Sequence, residues 1–132
     1  MKNFLFLVSI LSLFLVSACN DVKTQSLEEF YKEAEIETVD QIVIQDGSTG
    51  ASKTITEQQE IDEFLSLIND IVFSPQSNQE DRNGWRYAIH LFEGEKEFNF
   101  TLNKIGDIYY DSSPDIYPIV DNFYNQLEIE EH

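Results

Sequence analysis

One cysteine and two histidines in 132 residues leave little for several kinds of chemistry to work with. A structural zinc site needs several thiolates or imidazoles at ligand spacing. A disulfide framework needs paired cysteines, and a nucleophilic triad needs a histidine beside a serine or thiol. Basic residues are also scarce: 8 Lys and Arg stand against 25 Asp and Glu, a formal net charge of −17. Such a chain lacks the cationic surface that DNA, RNA or anionic headgroups require, and is compatible with cationic partners such as a basic protein or peptide. Acid excess also keeps a small domain soluble and monomeric. The apolar periodicity through residues 57–127 excludes a disordered acidic tail.

The long apolar run falls at the start. Lys2 precedes residues 4–16, which are apolar apart from Ser9 and Ser12, and Val16-Ser17-Ala18-Cys19 closes the run. These are the three parts of a secretory signal. At about 1.5 Å per residue, residues 4–18 cover roughly 22 Å, short of the ~30 Å hydrocarbon core of a bilayer. No basic cluster follows to stop transfer, because the next residues are Asn20, Asp21 and Val22. Val16 and Ala18 would also suit an ordinary signal peptidase, but that would release a protein with one unpaired thiol. Val16-Ser17-Ala18-Cys19 resembles a lipobox, which implies cleavage after Ala18 and lipid attachment to the thiol of Cys19. Residues 1–18 are then a removed signal, 19–26 a lipidated tether and 27–132 one domain. Two acyl chains anchor stably where one is marginal. The implied location is the outer face of the cytoplasmic membrane.

Within the domain, Leu27, Phe30, Tyr31 and Ala34 recur at helical spacing behind a Ser26/Glu29 capping box. Residues 38–46 carry β-branched Val39, Ile42, Val43 and Ile44 and read as a strand, with a turn at 46–50 and a returning strand at 53–55. Thr56 and Gln59 have capping-box spacing ahead of a helix whose Ile61, Phe64, Leu65, Ile68, Ile71 and Val72 share one face. Residues 74–84 read as a polar, mobile loop. Two strands follow, alternating at Trp85, Tyr87, Ile89, Leu91 and at Phe98, Phe100, Leu102. The Gly94-Glu95 pair between them suits a type II′ hairpin. Residues 103–106 turn into a strand at 107–111, and residues 115–128 form a last helix with Pro118 in its first turn. The order is β-β-α-β-β-β-α after a first short helix. This predicts an α+β two-layer sandwich, a mainly antiparallel sheet of about five strands with its helices on one face.

The layout resembles the uncharacterised small acidic lipoproteins of low-GC Gram-positive bacteria. The stretches that carry the resemblance are Ile42-Val43-Ile44-Gln45-Asp46-Gly47, Ile55-Thr56-Glu57, Tyr87-Ala88-Ile89-His90-Leu91-Phe92 and Tyr109-Tyr110. It implies Cys19 lipidation and transfers no activity, cofactor or other site residue.

No catalytic residue is identified. His132 is terminal, and His90 lies mid-strand on the outer side with Arg86 and Phe92. Asp107, Asp111 and Asp115, and Glu93, Glu95 and Glu97, do not follow a calcium-loop pattern and read as solvated turns. A carboxylate pair hydrolysing an envelope glycoside would need a positioned acid and nucleophile, and no motif marks one. Trp85, Tyr87, Tyr109 and Tyr110 fit either strands filling a core with aromatics or a stacking platform for a ligand. Alternation puts Tyr109 and Tyr110 on opposite faces, and Tyr109 with His90 is the expected ligand surface. The chain therefore reads as a non-enzymatic, lipid-anchored binding or interaction module. The alternative is an inhibitor or immunity-type protein acting on a basic envelope enzyme or toxin.

Overall fold

The fold is given by a computed structural model that describes residues 23–132. The expectations placed on Val16, Ser17, Ala18 and Cys19 lie outside the described residues. Among the described residues, eight strands and three helices follow one another: β1 (Gln25–Ser26), α1 (Leu27–Glu33), β2 (Gln41–Asp46), β3 (Ser52–Ile55), α2 (Gln58–Ile68), β4 (Val72–Pro75), β5 (Tyr87–Glu93), β6 (Lys96–Thr101), β7 (Lys104–Ile105), β8 (Ile108–Ser113) and α3 (Ile116–Gln126). The fold is mixed α+β. Its strands form one antiparallel sheet in the order β1-β4-β8-β7-β6-β5-β2-β3. Eight strands replace the expected five or so because β1, β4 and β7 are each four residues or fewer. Elements that short carry no period of their own and exist through pairing with neighbours.

Alternation along the long strands sets the buried face. Ile42 and Ile44 of β2, Tyr87, Ile89 and Leu91 of β5, and Phe100 of β6 enter one core with Ile61, Phe64 and Ile68 of α2 and Ile116, Val120 and Phe123 of α3. The β5–β6 hairpin pairs Ile89 with Phe100 and Leu91 with Phe98, as the alternation predicts. Gly94 turns it with φ +60° while Glu95 keeps a negative φ, the pattern of a type II′ turn. The rings of Phe64 and Phe123, 4.8 Å apart, join α2 to α3.

Helix ends follow local chemistry at two of three N-termini. Ser26 accepts from the Glu29 backbone N–H while Glu29 accepts from that of Ser26, both at 3.2 Å. Asp115 accepts from Tyr117 N–H at 3.1 Å, and Pro118 sits third in α3, where no N–H partner is lost. The Thr56 cap is not used: α2 starts one residue later behind Glu57, without a side-chain cap. Helical periodicity also overran its end. Ile71 and Val72 continue the apolar arc of α2, yet the helix stops at Ile68. The Ile71 carbonyl accepts from Leu27 N–H at 3.0 Å, and Val72 opens β4 and is 37% exposed. Pairing with β1 and β8 outweighs the helical pattern there, and β-branched Ile71 and Val72 suit the extended backbone. At the start of the domain, Gln25 and Ser26 join the sheet as β1 rather than hanging in the tether.

Candidate functional site

A concavity of about 560 Å³ opens where the start of β5, the end of β4, the β6–β7 turn and the β8–α3 junction meet. Trp85 and Arg86 come from the entry to β5, Leu102 and Asn103 from the β6–β7 turn, and Asp111, Asp115 and Tyr117 from the last junction. Gln76 and Tyr110 complete the wall. Trp85 and Tyr117 are each 41% exposed, in a chain that buries Tyr87, Tyr109, Tyr110 and Tyr124.

Both exposed rings are held in place. Gly47 lies directly beneath Trp85, so close that a side-chain carbon there would meet the Trp85 carbonyl oxygen and come within 2.6 Å of its ring. Gly47 N–H also donates to the Arg86 carbonyl at 2.7 Å. The Arg86 guanidinium donates to Asp46 Oδ1 at 2.9 Å, to Ser48 Oγ at 2.6 Å and, at 3.4 Å, to the Tyr117 hydroxyl. Its other end lies 3.6 Å from Asp121 Oδ1, which accepts from the buried Tyr87 hydroxyl at 2.6 Å. Burial, the Asp121 hydrogen bond and the Asp121 charge hold the Tyr87 phenol well above its ordinary range. Asp46 is buried, which opposes its ionisation. Hydrogen bonds from Ser48 and the charge of Arg86 outweigh that and hold its carboxyl below the usual carboxylate value.

Tyr109 and His90, the expected ligand surface, lie elsewhere and do not share a concavity. Tyr110 enters the core, while Tyr109, outside that cluster, is only 4% exposed. Residues 76–82 cover it. Gln79 presents its side-chain amide to the Tyr109 backbone, accepting from N–H at 2.9 Å and donating to C=O at 3.0 Å, as a neighbouring strand would. The Tyr109 hydroxyl accepts from Arg82 N–H at 2.9 Å, and the Arg82 guanidinium lies 4.3 Å from the ring centre. Tyr109 thus offers no open ring for a ligand, and residues 76–82, expected to be mobile, are tied to it. His90 lies on the outer side of the sheet in a shallow concavity of about 240 Å³ with Asn99 and Lys104. Its Nδ1 is 2.8 Å from Glu97 Oε2, and this contact holds the Glu97 carboxyl below its ordinary value.

Neither histidine lines the larger cleft. Among the described residues there is no group of three or more His, Cys, Asp or Glu side chains placed to hold a metal, and no helix long and apolar enough to cross a membrane. What the cleft offers is a set of groups suited to non-covalent recognition: two exposed rings, the amides of Gln76 and Asn103, carboxylates and a guanidinium paired with Asp46. Sequence reasoning picked out Trp85 as an aromatic but missed Tyr117 as its partner. The available signal was the glycine at position 47, whose packing against Trp85 and hydrogen bond to Arg86 are meaningful only once β2 and β5 are known to be neighbours. No protein-family model, curated protein or solved structure matches this chain.

Proposed function

We propose that this chain is a non-enzymatic binding protein, held by lipid on Cys19 at the outer face of the cytoplasmic membrane of a Gram-positive bacterium, and that it belongs with the small acidic lipoproteins it resembles. Val16-Ser17-Ala18-Cys19 supports the anchor, and the aromatic cleft supports the binding role. The single observation that carries the binding reading is the pair Trp85 and Tyr117, fixed in place yet exposed on one concavity. Small-molecule sites are concavities of about 300–1,000 Å³ with a few placed polar groups, and this one falls in that range. A two-layer arrangement with the helices on one face accords with the alternating burial of β2 and β5, and it leaves the cleft at the end of the sheet.

Membrane fractionation with intact-mass measurement tests the anchor. The mature chain is expected to begin at Cys19 with a diacylglyceryl increment, and Cys19→Ser is expected to leave the membrane fraction. A chain starting elsewhere, or lacking the increment, overturns it. The net charge of −17 favours a second reading, an inhibitor of a basic envelope enzyme or toxin. Electrostatically steered binding of that kind weakens steeply as salt rises.

A further inference from the structure

The geometry points to an uncharged glycan as the occupant of the Trp85 cleft, a short run of pyranose rings stacked on Trp85 and Tyr117; this deepens the binding reading above and rests on it. Pyranose rings present flat apolar C–H faces and an equator of hydroxyls. Their recognition therefore needs exposed aromatic faces beside planar hydrogen-bonding groups. The cleft has both. Trp85 and Tyr117 are each 41% exposed, and exposed Asn103, Asp111 and Asp115 share its wall. A carboxylate accepts from hydroxyls in short charge-assisted hydrogen bonds, and an amide both donates and accepts, so the set can serve neighbouring hydroxyls on one ring.

Charge and hydration weigh against anionic and wholly apolar ligands. The guanidinium of Arg86 is already committed to Asp46 and lies near Asp121. Among the described residues Asp111 and Asp115 form no ion pair. A phosphate or carboxylate ligand would meet those two carboxylates without a free cation to receive it. A wholly apolar ligand would strip water from Asn103, Asp111 and Asp115 without replacing their hydrogen bonds. A cationic side chain could pair with Asp111 and Asp115, but it would leave the faces of Trp85 and Tyr117 without a flat apolar partner, and the peptide probe below tests it directly. A neutral polyol meets neither the charge penalty of an anion nor the hydration penalty of an apolar ligand. Preorganisation favours it further, because Gly47 and Arg86 hold the two rings before any ligand arrives.

Trp85 is the only tryptophan in the chain, so intrinsic fluorescence reports on the site directly. The full-length protein in a detergent without a sugar headgroup would be titrated with soluble glucose and N-acetylglucosamine hexasaccharides, and separately with a lysine-rich peptide. The expected result is a saturable change in Trp85 emission with a glycan, little affected by salt. Tyr117→Ala should weaken binding about tenfold, the loss of one stacked ring. Asp111→Asn should weaken it as well, and Leu67→Ala, on the exposed side of α2, should not. Matching urea midpoints would show that the weakened variants are folded. A Trp85 response to the peptide alone overturns the glycan assignment and leaves the binding reading standing. Silence toward both probes up to about 10 mM, beyond the weak end of specific recognition, overturns both.

Discussion

Lys53 is a buried charged side chain at the end of α3, and its removal has a calculable effect. It is 8% exposed, and its ammonium donates to the Tyr124 carbonyl at 2.7 Å and the Leu127 carbonyl at 2.9 Å. Those carbonyls end α3, where the helix leaves acceptors unpaired and its dipole favours a cation. The ammonium also lies 4.5 Å from the centre of the Tyr124 ring. Lys53→Met keeps the aliphatic stem and deletes only the donor. Each hydrogen bond to a charged group is worth about 1.5–3 kcal/mol, but part of that offsets the cost of burying the ammonium. Tyr124 C=O also keeps a long bond from Leu127 N–H at 3.4 Å. The net expectation is a loss of about 2–4 kcal/mol. Urea unfolding followed by Trp85 emission and circular dichroism would read this as a lower midpoint at unchanged slope; at about 1–3 kcal/mol per molar, the shift is of the order of 1 M or more. Hydrogen exchange should quicken in residues 127–132, because the His132 backbone pairs with Ser52 of the same strand. A loss below about 0.5 kcal/mol, within the scatter of ordinary surface substitutions, would refute the assignment of Lys53 as the cap of α3.

Gly47→Ala should cost about 1–3 kcal/mol by overpacking and shift Trp85 emission, because the new carbon would meet Trp85 backbone as well as ring; unchanged emission and stability would contradict that packing. Gln79→Ala should speed tryptic cleavage at Arg82 and cost about 1–2 kcal/mol through lost bonds to the Tyr109 backbone. Equal cleavage rates would show that Gln79 does not hold the segment. Burial, the nearby Glu28 charge and a Glu28 contact push the Tyr31 phenol up to about 12, although its bond to Asn69 pulls the other way. Burial with Asp121 and Glu131 raises Tyr87 and Tyr124 as well. The fold therefore favours neutral phenols. Their contribution is intact below the unfolded value of about 10 and is lost as pH rises through the higher folded values. Tyrosinate absorbance should lag and then rise together with unfolding above pH ~10; a smooth rise with the fold intact would be the opposite result.

Long periodic elements were legible in the residues. The alternation of Tyr87, Ile89 and Leu91 against Phe98 and Phe100 specified the β5–β6 hairpin, because period-two burial excludes a one-residue slip and the two-residue turn at Gly94 selects the register. The Ser26/Glu29 box and Asp115 marked helix starts, since capping uses groups within a few residues. The end of α2 was not legible: Ile71 and Val72 satisfy helical spacing equally well, and their fate depends on Leu27 and Ser113, far away in sequence. Tyr109 looked open because nothing local says that residues 76–82 fold back onto it.

Local pattern thus specified a mixed α+β domain, its acidity, its principal helices and hairpin, and the motif at Cys19. These depend on residues a few positions apart, or on simple counts. The eight-strand order, the closing of Tyr109 and the cleft between Trp85 and Tyr117 came from tertiary pairing. Those features need contacts between segments tens of residues apart, such as Gly47 against Trp85 and Arg86 against Asp121, whose geometry exists only after the sheet has formed.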